Sequence, residues 1–259
     1  MKTLRPSCAA SKRFCATMNN DSTLSQLESL LDTWRSGKVD PVSRVYWALT
    51  SERISHCVKK HDNCRKNILD VGCGAGTFLV ELAKEGKYCC GVDPLWQTSL
   101  KRAQKNAYDA GVSVNFCRSV GEHLPFTHEC FDIVLCISTL QHVDNVLATL
   151  REIHRVLGRE GILIVSVPQT VRRPIFKATE IYTTHFNLRT LKDALNSSGF
   201  QILEQNVCGF FPPLSQQILN QAYPLKDYRL RKIICGLDTV GVRLPSIASS
   251  IIVAAAVRK

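Results

Sequence analysis

The chain has 259 residues, enough to bury a large core as one α/β domain and too few for two comfortable ones. With 45% hydrophobic and 21% charged residues it reads as a globular protein, and the absence of an 18-residue apolar run excludes a spanning helix. The net charge of +11 favours anionic partners such as nucleic acid, acidic lipid or a phosphorylated small molecule, although a solvated basic surface is the simpler account of it. There is no block of five basic residues and no recognisable nucleic-acid motif, so nucleic acid is the less favoured partner. Twelve cysteines in a chain this long, with no apolar signal-peptide core, are expected to be thiols rather than a disulfide framework. His56, Cys57, His61 and Cys64 do not have the spacing of a zinc site, and no metal is expected.

Residues 1–20 hold Lys2, Arg5, Lys12 and Arg13 and no acid before Asp21, which suits either an unstructured basic tail on a cytoplasmic protein or a mitochondrial or plastid transit peptide. Leu24, Leu27, Leu30, Leu31 and Trp34 predict an amphipathic helix over 22–36, and Pro41 opens a second, so that helices occupy 22–60. Ile68 to Gly76, ILDVGCGAG, is an apolar strand that runs into glycines at every second position, with a helix from Thr77. A dinucleotide turn would place its third glycine where Thr77 stands, and Asp70 would repel a pyrophosphate. The turn suits a ligand with an ammonium and a carboxylate.

A strand over Lys87–Val92 ends at Asp93, and a helix over Trp96–Ala110 and a strand over Val112–Cys117 follow. Phe131–Ile137 is the fourth strand and Asp144–Leu157 a helix; Gly158–Gly161 then turn the chain into a strand over Ile162–Pro168. Residues 169–186 are irregular, Leu188–Ser198 is a helix and Phe200–Val207 a strand. The last apolar run, Ile247–Val257, comes after a gap long enough to be an insert over 209–246, which is rich in aromatics and reads as a cap.

LDVGCGAG followed by GVDP (Gly91 to Pro94), then E-x-L-P-F at Glu122–Phe126 and F-D-x-V at Phe131–Val134, resembles the small-molecule branch of the Rossmann-like S-adenosylmethionine-dependent methyltransferases. The resemblance implies an α/β fold, a seven-stranded, mostly parallel sheet with helices on both faces and an antiparallel last strand. It implies a single domain over 21–259 and S-adenosylmethionine as cofactor. It also implies that Asp70, Gly72, Cys73, Gly74, Gly76, Asp93, Pro94, Val120, Gly121 and Ser138 hold that cofactor, with the Asp93 carboxylate accepting both ribose hydroxyls. Val120 stands where the family commonly has an aspartate for the adenine amino group, leaving the backbone of Val120 and Gly121 for the adenine.

Ser138-Thr139-Leu140-Gln141-His142 falls where the family faces the transfer centre. His142 and His185 are the candidate bases for a hydroxyl acceptor, and Gln141, Arg172, Arg173 and Tyr182 the candidate substrate contacts. The expected reaction is methylation of a small-molecule hydroxyl, phenol or carbon acid, on a lipid, quinone-like or glycan-linked acceptor among others. The alternatives are an RNA- or protein-directed methyltransferase and a non-catalytic protein that binds the cofactor.

Overall fold

The computed structural model describes residues 41–62, 65–169, 183–210 and 249–258. The helix expected over 22–36, residues 1–20, Cys64 and nearly all of the 209–246 insert lie outside them. Helix α1 (Pro41–His61) leads to β1 (Asn67–Val71), α2 (Thr77–Lys84) and β2 (Tyr88–Asp93). One wide π-helical turn, Trp96–Leu100, runs into α3 (Lys101–Asp109), and β3 (Asn115–Arg118), β4 (Phe131–Ile137), α4 (Val146–Val156) and β5 (Leu157–Pro168) follow. Helix α5 (Leu188–Ser197), β6 (Phe200–Phe210) and β7 (Ser249–Arg258) complete the described chain.

The seven strands form one sheet in the order β3-β2-β1-β4-β5-β7-β6. Strands β1 to β5 pair in parallel, while β7 lies antiparallel between β5 and β6. The inner strands β4, β5 and β7 read as largely apolar runs because both their faces are covered, while the edge strands β3 and β6 are mixed. Successive side chains alternate between two cores. Ile68, Cys89, Ile133, Leu135, Ile162 and Ile164 pack with Ile54 and Val58 of α1 and Leu79 and Leu82 of α2. Their neighbours Leu69, Cys90, Val134, Cys136, Leu163 and Val165 pack with Leu150 and Ile153 of α4 and Leu191 and Leu195 of α5.

Helix starts are set by local chemistry. Asn145 caps α4 by accepting from Ala148 N at 3.0 Å. Asn187 caps α5 by accepting from Arg189 N and Thr190 N, while Thr190 Oγ1 takes the Asn187 N–H in return.

Three elements depart from the sequence reading. The third strand begins at Asn115, because Val112 N is spent on Ala107 O and closes α3 instead of pairing. The residues expected to turn at Gly158–Gly161 belong to β5, which pairs Leu157 with Phe131 and then shifts register before Ile162 meets Ile133. The expected helix at Trp96 opens with a wide turn because Ser99 N and Leu100 N both donate to Leu95 O.

Candidate functional site

The glycine turn sits at the carboxyl end of β1 and is strapped onto its neighbours. Gly72 N and Cys73 N both donate to Val92 O, at 2.8 and 3.0 Å, so the turn crosses the end of β2. Gly76 N closes on Cys73 O, and Val80 N takes Gly76 O to start α2. Gly72 has φ +75°, and Thr139 of the β4 loop fills the space where a side chain would go. Thr139 Oγ1 lies 3.0 Å from Val71 O, binding the ends of β1 and β4 together. Gly74 has φ +52° and nothing within 4 Å of where a Cβ would stand, so the turn presents bare backbone to open space.

Two acids form the floor. Asp93 closes β2 with Oδ2 accepting Gly74 N at 3.0 Å and Oδ1 accepting Leu95 N at 2.9 Å. Burial raises its carboxyl above the ordinary range, opposed by these two bonds and by one from Ser99. Asp70 is 2% exposed, and its Oδ1 is buried without a hydrogen-bond partner. Burial, with the charge of Asp93 as second cause, holds its carboxyl well above the ordinary range. Cys73 is also pushed up, by burial first and then by both acids.

The loop after β3 closes one side. Ser119 N donates to Asp93 O at 3.4 Å, and Val120 O is occupied by His123 N at 3.2 Å. Gly121 is buried against Thr149 of α4. Beneath them Leu124 and Phe126 are buried, and their carbonyls accept from Arg155, which is itself paired with Glu152. The E-x-L-P-F segment thus owes its shape to an ion pair on α4.

On the other side, Ser138 ends β4 at φ +52°, a left-handed conformation that is uncommon for a residue with a side chain. Its N–H donates to Ser166 O at 2.9 Å, and its carbonyl accepts Gln141 Nε2 at 2.7 Å. Gln141 is 2% exposed and its Oε1 has no partner. Its backbone carbonyl accepts from Thr183 N and Thr183 Oγ1, which ties the 183–186 segment to the β4 loop. His142 is half-buried beside Gln141, and His185 is exposed two residues beyond Thr183.

Asp70, Gly72, Cys73, Gly74, Gly76, Asp93 and Pro94 therefore gather at the ends of β1 and β2, with Val120 and Gly121 joined to them through Ser119. Ser138, Gln141 and His142 stand at the end of β4. Arg172, Arg173 and Tyr182 lie outside the described residues. The sequence reading did not single out Thr139, Ser166 or Thr183; a small hydroxyl residue next in sequence to a candidate site residue was the available signal for Thr139. Among the described residues no cluster of three or more His, Cys, Asp or Glu could hold a metal, and no helix is long and apolar enough to cross a membrane.

A sheet of this order, with a glycine turn at its central strand and acids at the ends of β1 and β2, defines a Rossmann-like α/β protein whose ligand crevice lies at the carboxyl edge of the strands. A methyltransferase-domain family profile matches residues 69–165. Ubiquinone biosynthesis O-methyltransferase of Rickettsia canadensis is 26% identical over 205 residues, 68% of this chain and 86% of that protein. Other proteins of that name align over less of their length, 39% in Azorhizobium caulinodans and 62% in Rickettsia felis. An uncharacterized protein of Methanocaldococcus jannaschii is 31% identical over 173 residues, 64% of this chain and 69% of that protein. The crystal structure of an S-adenosylmethionine-dependent methyltransferase from Thermotoga maritima shares the fold, with a TM-score of 0.57, 20% identity, and coverage of 92% of this chain and 98% of that one. The chain belongs to the class I S-adenosylmethionine-dependent methyltransferases, and S-adenosylmethionine is its methyl donor.

Proposed function

We propose that the protein methylates a hydroxyl of a small aromatic or quinone-like acceptor. The observation that carries the donor half of this reading is the Asp70 carboxyl, buried with an oxygen that has no partner beside a glycine turn open to solvent space. That chemistry fits the donor: an acceptor atom awaits an ammonium, and bare backbone at Gly74 leaves room for the ligand body. The O-methyltransferase relatives support an oxygen acceptor.

In this reading Asp70 receives the amino group, with Ser138 beside it. Asp93, already bonded by Gly74 N, Leu95 N and Ser99, accepts the ribose hydroxyls, and the backbone of Val120 and Gly121 borders the adenine. Cys73, Gly76 and Pro94 shape the same wall. S-adenosylmethionine supplies a methyl group already activated by its sulfonium charge. The protein's work is then to align the acceptor oxygen, exclude water and remove one proton. His142 takes that proton from the hydroxyl, with His185 as the second candidate base, and Gln141 orients the acceptor together with Arg172, Arg173 and Tyr182. The domain spans 21–259 with N-terminal helices over 22–60, and the insert 209–246 serves as a cap, in a cytoplasmic protein.

The test is transfer of radiolabelled methyl to fractionated phenolic, lipid and RNA extracts. Label is expected in hydroxylated aromatics; label confined to RNA or protein would overturn the acceptor assignment. The His142→Ala variant should lower kcat while leaving donor binding in place.

A further inference from the structure

Two carboxyl groups share the floor of the donor site, and they are held very differently. Asp93 accepts two backbone N–H bonds and one from Ser99, all of which favour its ionised form. Asp70 is 2% exposed and has an oxygen with no donor at all. The titratable groups around Asp70 are Asp93 at the end of β2, Cys73 in the glycine turn, Cys89 on β2 and Cys136 on β4. Every one is an acid or a thiol. Among the described residues no cation acts on Asp70, and no ion pair includes it. A carboxylate so placed would be desolvated and would face a second carboxylate with no positive charge to offset either.

We propose that Asp70 stands as a neutral carboxyl in the ligand-free protein and gives its proton to solvent when the donor's ammonium group enters, so that donor binding is coupled to release of one proton. This rests on the proposed placement of that ammonium at Asp70. The step balances simply: the Asp70 O–H breaks, the proton passes to buffer, and the new carboxylate is matched by the arriving cation. The direction already drawn for the Asp70 carboxyl, raised by burial and then by Asp93, agrees with the geometry.

The sign follows from linkage. The ligand lowers the affinity of Asp70 for its proton, so the association constant climbs as pH rises, by up to about tenfold per pH unit. The climb ends where Asp70 ionises without help or where the ligand's own α-amino group, with an ordinary value of about 7.7–8.0, begins to lose its charge.

Isothermal titration of the full chain with S-adenosylmethionine at pH 7, in phosphate and in Tris, reads the proton directly, because the two buffers differ in heat of ionisation. The expected difference corresponds to close to one proton released per molecule bound. 5′-Methylthioadenosine, which lacks the amino-acid end, should bind with equal heats in both buffers. Asp70→Asn should bind the full donor more weakly and release no proton. Equal heats with wild-type protein and S-adenosylmethionine overturn the proton coupling while leaving the methyl-donor reading intact. Proton release that persists in Asp70→Asn, or that accompanies 5′-methylthioadenosine, overturns the assignment to Asp70. Absence of any binding heat with S-adenosylmethionine overturns the donor reading itself, a different outcome from binding without proton release.

Discussion

Replacing Gly72 by alanine tests whether the glycine turn is locked by the β4 loop. A methyl group there would stand 2.6 Å from Thr139 Cγ2 and closer still to Thr139 Oγ1, on a backbone with φ +75°. The left-handed conformation costs a residue with a side chain about 1–2 kcal/mol, and forcing a methyl into a filled space costs about 1–3 kcal/mol. Gly72→Ala should therefore lose roughly 3 kcal/mol in urea unfolding. Thr139→Ala alone loses the bond to Val71 O and should cost roughly 1 kcal/mol. In the double variant the threonine hydroxyl and methyl are gone, so most of the steric part disappears, and the backbone part remains with a tight 3.0 Å approach to the Cβ of residue 139. The coupling energy between the two sites should be favourable by about 1–3 kcal/mol. A Gly72→Ala protein as stable as wild type, or a coupling energy near zero, would refute the lock.

Three further outcomes follow from the same site and its supports. Arg155→Ala removes the charged donors to Leu124 O and Phe126 O and leaves Glu152 without its pair, so unfolding should come roughly 2–3 kcal/mol earlier, with faster amide exchange across 119–126. Asp93→Ala should weaken donor binding by roughly 2–4 kcal/mol on calorimetry, since it removes the ribose acceptors of the proposed site and also releases Gly74 N. Burial pushes the Glu204 carboxyl up, but bonds from Lys60, His61 and Cys57 outweigh it and leave it below the ordinary range. Its stabilisation of the α1–β6 contact is therefore present above the unfolded glutamate value, about 4.3, and is lost as pH falls through the depressed folded value. Amide exchange of α1 should accelerate over that range relative to α5, and Glu204→Gln should abolish the dependence.

Much of the fold was legible because the sheet is buried on both faces. Runs such as Phe131–Ile137 and Ile162–Val167 are apolar but for Asp132 and Ser166 and read as strands in a covered sheet, and β4 falls at its expected limits. Errors arose where an apolar residue spends its backbone elsewhere. Val112 reads as the start of a strand, yet its N–H closes α3. The glycines and acids of the candidate site were visible because their spacing is local. Their mutual holding was not, since Gly74 meets Asp93 across 19 positions and Thr139 meets Val71 across 68. A threonine in a polar loop carries no mark of a partner that distant.

In the proposed reading the crevice has a donor half and an acceptor half, and the two are built on different principles. The donor half is fixed by backbone: Val92 O takes two N–H groups of the turn, Asp93 takes a third, and α2 begins directly from Gly76. The acceptor half depends on side chains meeting at Gln141, whose amide grips Ser138 while its carbonyl holds Thr183. Changes of side chain at Gln141 should therefore disturb acceptor selection and kcat more than donor affinity, which they reach only through Ser138. Changes at Gly72 or Asp93 should move donor affinity first. Such a separation is what a group-transfer site needs if one donor is to serve acceptors of differing shape, because the sulfonium must be held in one place while the acceptor is brought to it.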